Sequence, residues 1–102
     1  TGIEDFTALT DLRCSYNQLT SLDVSQNTAL TYLNCRDNLL TSLDVSINIA
    51  LTNLNCSNNQ LSDLDLSQCA ALFMFWCDSN QLSCLNLNNG NISCFGEKDT
   101  IL

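Results

Sequence analysis

Four of the seven cysteines stand at one interval: Cys14, Cys35, Cys56 and Cys77 are each twenty-one residues apart. Thiols can hold a metal, attack an electrophile as thiolates or join as disulfides, and each use needs its own surroundings. A structural zinc site wants closely spaced Cys or Cys/His pairs, yet the chain has no CxxC pair and no His. Without His, a thiolate would need a carboxylate as its base, and no carboxylate is in register with the four. If these residues stack at strand spacing, their Cα atoms stand about 4.8 Å apart. Parallel Cβ vectors then keep the Cβ atoms from the roughly 3.8 Å that a bridge requires. The interval therefore predicts a column of buried free thiols that pack as small apolar groups. Cys69 and Cys84 fall outside it and are expected nearer the surface, with no partner in register.

The acids form a second series. Asp23, Asp44 and Asp65 recur at the same interval, continued by Asn86. Calcium takes several converging oxygens, and one carboxylate per repeat is a thin cage. Serine hydroxyls and backbone N–H groups are expected to hold these side chains instead, with no metal and no other cofactor. Asp11 and Asp78 lie at opposite ends of the strand stack, too far apart to act as a carboxylate pair. Nothing here assembles a nucleophile, a base and an oxyanion donor, so the chain reads as non-catalytic.

What positions these residues is a repeat. Leu30 to Ala50 reads LTYLNCRDNLLTSLDVSINIA; residues 9–29 and 51–71 say nearly the same without a gap. A period of this length, repeated three times, means a stack of coils in which each buries its apolar face against the next. The reading is one domain over residues 1–102. It comprises a partial first repeat (1–8), full repeats at 9–29, 30–50 and 51–71, and a degenerate fourth at 72–91. A shortened strand ends it at 92–102, with Cys94 extending the thiol column after a tight turn at Asn88-Asn89-Gly90-Asn91. Because the first residues fall mid-repeat, the chain reads as a mature or excised fragment.

Each repeat has two halves. In L-x-x-L-x-C-x-x-N-x-L, the alternation Leu12–Arg13–Cys14 is a short period-two strand with Leu and Cys inward. Asn17, Asn38, Asn59 and Asn80 follow at a fixed offset, suited to satisfying loose backbone groups of their own and neighbouring coils. The second half, S-L-D-V-S, alternates again, with Leu22 and Val24 inward. Little or no α-helix is expected. Hydrophobic residues make up 45% of the chain, enough for a core at these positions. The net charge of −8, with only three basic residues, opposes binding to nucleic acid or an anionic membrane. No apolar run is long enough to span a bilayer.

The consensus LxxLxLxxNxL, with Cys in the last inward position, resembles that of leucine-rich repeats. The repeat length and recurrent Cys are similar to those of bacterial surface proteins of the internalin J-like type, which have a cysteine ladder. The wording LTSLDVSxNTAL resembles repeats in secreted proteins of gliding, polysaccharide-degrading bacteria. The resemblance covers about Ile3 to Leu87. It implies a right-handed solenoid with a parallel sheet on its concave face and short extended segments on the other side. It also implies a secreted or cell-surface location and a role in adhesion or ligand binding.

On such a scaffold, recognition falls to side chains that leave the concave strands: Arg13, Tyr32, Asn34, Arg36, Asn53, Asn55, Met74, Trp76 and Asp78, with Asp11, Ser15 and Ser57 beside them. Repeats that otherwise match differ most here, and two of the three basic residues and the only Trp are among them. Arg and exposed aromatics are common anchors of protein interfaces, whereas Trp and Tyr can also stack on sugars. Trp76 has a plainer reading too, as cover for the weak C-terminal coil. A protein partner is expected first, a polysaccharide second, and end-to-end association with other copies third.

Overall fold

The computed structural model describes residues 7–86 and 92–94. Among them are seven three-residue strands and no helix. β1 (Asp11–Arg13), β2 (Tyr32–Asn34), β3 (Asn53–Asn55) and β5 (Met74–Trp76) form one parallel sheet in that order. Every step in its register is one repeat: Leu12 faces Leu33, Leu33 faces Leu54, and Leu54 faces Phe75. β4 (Asp63–Asp65), β6 (Cys84–Asn86) and β7 (Ile92–Cys94) form a second sheet. The S-L-D-V halves of the first two coils form no strand.

Strands this short stop because the chain turns sharply after each. Tyr16, Asp37, Asn58 and Ser79 all sit in the left-handed region, with φ of 57°, 58°, 58° and 58°. That conformation costs a non-glycine residue about 1 kcal/mol or more, so the rest of the coil must hold it. Backbone bonds between coils do so. Tyr16 N–H donates to Arg36 C=O (3.1 Å), Asp37 to Ser57 (3.0 Å) and Asn58 to Asp78 (2.9 Å).

The core is a set of columns, one residue per coil. Leu30 and Leu51, Leu33 and Leu54, Leu40, Leu61 and Leu82 are fully buried, as are Cys35, Cys56 and Cys77. Leu9, Leu12, Cys14, Leu19 and Leu22 of the first coil pack on them only partly covered. Asn38, Asn59 and Asn80 are buried among these columns, whereas Asn17 is exposed. Asn38 Nδ2 donates to the carbonyls of Cys14, Cys35 and Arg36 at 3.1, 3.0 and 3.2 Å, and its Oδ1 accepts from Leu19 N–H at 3.0 Å. Asn59 repeats the pattern one coil on, from Cys35 O to Leu40 N–H. Asn17 bonds only within its own coil, to Cys14 O and Ser15 O.

Three expectations need correction. Cys69 is fully buried, not near the surface. It occupies a second inner column with Asn27 and Asn48, where Asn48 Nδ2 donates to Val24 O and Asn27 O and the Cys69 thiol points at Val45 O and Asn48 O. Cys94 does not extend the thiol column: β7 runs antiparallel to β6 in the second sheet, with Cys94 opposite Cys84. Cys84 therefore has a partner in register after all. The tight turn expected at 88–91 lies outside the described residues.

The two asparagine positions of one strand–turn unit should separate cleanly. Asn38→Ala leaves the part-buried Leu19 N–H without its acceptor and takes one of two donors from each of the carbonyls of Cys14, Cys35 and Arg36; a buried polar group left alone costs about 1–3 kcal/mol and each further hydrogen bond lost about 1 kcal/mol. Asn34 supplies a single bond, to Arg36 N–H at 3.2 Å. Urea unfolding should find Asn38→Ala destabilised by about 3 kcal/mol or more and Asn34→Ala by about 1 kcal/mol.

Candidate ligand-binding face

Alternation along β1, β2, β3 and β5 turns two rows of side chains away from the core. Asp11, Tyr32, Asn53 and Met74 make one row; Arg13, Asn34, Asn55 and Trp76 make the other. Within these rows the side chains hold one another. Arg13 grips Asp11 with two bonds, Nε to Oδ1 at 3.0 Å and a terminal nitrogen to Oδ2 at 3.1 Å. Its guanidinium lies over the Tyr32 ring, 4.6 Å from the centroid. The hydrogen bond from Arg13 keeps the exposed Asp11 carboxyl below its ordinary range. Asn53 Nδ2 meets the Met74 sulfur at 3.4 Å, and Asn55 Oδ1 accepts from Ser57 N–H at 3.1 Å. Trp76 is half-buried and Met74 exposed.

Beyond the strand ends a third row runs Ser15, Arg36, Ser57 and Asp78. Ser57 is buried rather than presented to solvent, its hydroxyl donating to Asp78 Oδ1 at 2.6 Å. Arg36 Nε bonds Asp37 Oδ2 at 2.7 Å, and its guanidinium stands 5.6 Å from the ring centroid of Tyr16. Burial pushes the Asp37 carboxyl up, but hydrogen bonds from Arg36 and Asn58 outweigh it and the net shift is downward. Tyr16, 71% exposed, belongs to this surface and was missed in the sequence. It falls at the turn position, where residue type varies freely and no period marks it.

Recessed ground lies elsewhere, on the second side of the coils. Two shallow grooves there are lined by Asp23, Asp44, Asp63, Asp65 and the serines between them. Each column carboxylate accepts from the serine two residues on: Asp23 from Ser25 N–H, and Asp44 and Asp65 from both N–H and hydroxyl of Ser46 and Ser67. Those bonds hold all three carboxyls below their ordinary range. Among the described residues no three metal-ligating side chains converge.

The thiols are chemically quiet. Burial pushes Cys35 from an ordinary 9.0 up to about 12, with the neighbouring Cys14 adding to it. Burial raises Cys56 well above its ordinary range and also raises Cys14 and Cys69. A thiol that stays protonated when folded but ionises when unfolded stabilises the fold below about pH 9. That stability is lost as pH rises through the window between the two values, 9.0 to about 12 for Cys35. At about 1.4 kcal/mol per unit, this one thiol accounts for a loss on the order of 4 kcal/mol. Unfolding free energy should fall steeply over that window. Thiol reagents at neutral pH should label Cys35, Cys56, Cys69 and Cys77 only after unfolding; rapid labelling of the folded chain at Cys56 would contradict the packing.

No protein-family model matches the chain, and no curated protein does. Among solved structures, the chain is similar to one described as the functional domain of InlJ from Listeria monocytogenes, which includes a cysteine ladder. The two share 36% sequence identity with a TM-score of 0.80, over 81% of this chain and 18% of that one. The chain thus spans less than a fifth of that neighbour. With its columns of Leu, Cys and Asn wound at twenty-one residues per coil, this chain is a leucine-rich-repeat solenoid of the cysteine-ladder type, similar to that of InlJ.

Proposed function

We propose that the chain is a non-catalytic recognition module of a secreted or cell-surface protein, and that it binds a protein partner on the outward face of β1, β2, β3 and β5. The observation that carries this is the Asp11–Arg13–Tyr32 cluster, in which two of the three side chains are typical interface anchors. They are already ordered by two hydrogen bonds and a cation–π contact, so docking on them costs less side-chain entropy. Similarity to a domain called functional in InlJ supports a binding role for this part of the scaffold. Thiols held protonated by burial and carboxylates tied to serines argue against catalysis.

A polysaccharide is the second reading, favoured by Trp76 beside the amides of Asn34, Asn53 and Asn55. Sugar stacking needs an open ring face, and the Arg13 guanidinium lies over the Tyr32 ring. That weighs toward the protein partner.

Trp76 is the only tryptophan, so its fluorescence reports the face directly. Acrylamide should quench it partly, and a panel of algal and plant polysaccharides should leave its spectrum unchanged. A shift and protection with one glycan would establish the second reading instead. A photo-crosslinker at position 53 should capture a protein partner that one at position 44, on the opposite side, does not. Arg13→Ala should then weaken that complex by about 2 kcal/mol, roughly thirtyfold. Light scattering that rises with concentration would move the reading to stacking of copies.

A further inference from the structure

We infer that Ile47 and Ile49 form a second binding face with the carboxylates beside them, on the second side of the coils. Its occupant is a segment of another protein that carries aliphatic side chains among lysines or arginines. The two isoleucines break the repeat. Their places hold Gln26 and Thr28 one coil earlier and Gln68 and Ala70 one coil later. They do not turn inward, because Asn48 between them is fully buried and bonds Val24 O and Asn27 O of the preceding coil at 3.1 and 2.9 Å. Ile49 N–H also closes on Ile47 C=O at 2.9 Å, so the chain bends tightly around the buried amide. Ile47 is left 49% exposed and Ile49 60%. Covering such area is favourable in proportion to its extent.

Single exposed apolar residues are ordinary on a protein surface, but this pair adjoins recessed ground that carries charge. Ile47 lines a groove of about 210 Å³ together with Asp23 and Asp44. That groove shares Ser42 and Asp44 with a second, of about 420 Å³, which reaches Asp63 and Asp65. Asp44 and Asp65 use only Oδ1 for their serines, which leaves Oδ2 of each for a donor from outside. Among the described residues no cation answers them: Arg13 is paired with Asp11 and Arg36 with Asp37. This charge decides the occupant. A second copy would set the same aspartates against their equals, and each chain carries a net charge of −8; like charges brought together across an interface oppose binding. Any anionic partner meets the same opposition. A segment with Lys or Arg beside Leu, Ile or Val answers both features, its cations at Asp23, Asp44 and Asp65 and its apolar side chains at Ile47 and Ile49. The inference does not depend on what the outward face of the first sheet binds.

The test is a titration of the nitrogen-15-labelled full chain with acetyl-Lys-Leu-Lys-Leu-Lys-amide, followed by amide chemical shifts. Two further peptides serve beside it, one with serine for leucine and one with glutamate for lysine. Shifts should move saturably at Asp44, Ile47, Ile49 and Asp65 and stay still along β1, β2 and β3. The serine peptide should bind about tenfold more weakly, and the glutamate peptide not at all. The double variant Ile47→Gln with Ile49→Thr carries the first coil's own residues at these places. It should lose about that tenfold for the leucine peptide and bind the serine peptide as before. Asp44→Asn keeps an oxygen for Ser46 but removes the charge, and should weaken both basic peptides about threefold. Equal binding of the leucine and serine peptides, no loss in either variant, or shifts confined to the first sheet would each overturn the proposal. So would a dimer of the chain alone that the double variant abolishes, since a second copy would then be the occupant.

Discussion

The coils are joined through side-chain amides set where the backbone ladder ends. After each strand of the first sheet the chain turns through a left-handed residue, and the carbonyl of the preceding cysteine is left facing along the stack. The carbonyls of Cys14, Cys35 and Cys56 each accept two side-chain amide bonds, one from the Asn of their own coil and one from the Asn of the next. The same Asn takes an N–H across the coil boundary, as Asn59 takes Leu40 and Asn80 takes Leu61. One buried side chain thus closes its own turn and attaches the neighbour. Buried amides that are fully paired are worth having, whereas half-paired ones are costly. Stability therefore resides in the interfaces between coils more than in any single coil.

The cysteines follow from the same constraint. Their position immediately precedes the turn, where the chain closes over the amide cluster and leaves little room. Sulfur fills that room without asking for a hydrogen bond of its own. Parallel stacking, which brings the thiols into a column, also denies them the converging geometry of a bridge. Desolvation, the leading cause of their raised pKa values, takes away their nucleophilicity at neutral pH. The buried thiols of the described columns are in this way nearly free of thiol chemistry.

How much of this could be read in advance depended on whether a feature repeats. The Leu, Cys and Asn columns recur by residue type, and their places in the first sheet follow from the period alone. Tyr16, Asp37, Asn58 and Ser79 share one backbone conformation but no residue type, so the sequence gives no hint of it. The inner column of Asn27, Asn48 and Cys69 changes chemistry at its last member, which made Cys69 look like a surface substitution. β7 breaks the period outright: its I-S-C matches the strand consensus, yet pairing with the free edge of β6 is satisfied by running backward. On the outward face, position could be foreseen but not engagement. That Arg13 lies on Tyr32 and Arg36 on Asp37 depends on rotamers, which a period does not specify.

Those engagements change what the net charge of −8 means. Two basic residues on an acidic protein suggest a site for an anion, and the charge count alone would favour that. Each arginine, however, is matched locally: Arg13 by Asp11, with Tyr32 beneath it, and Arg36 by Asp37, with Tyr16 alongside. A ligand offering only negative charge would have to displace those carboxylates from a surface that is acidic beyond them. Exposed pairs of this kind contribute little to stability, so their effect is to fix where the guanidinium planes and rings lie. The face is therefore better matched to a surface that brings both apolar area and mixed polar groups than to a simple polyanion. The constant columns beneath it let the residues above vary from coil to coil without disturbing the stack.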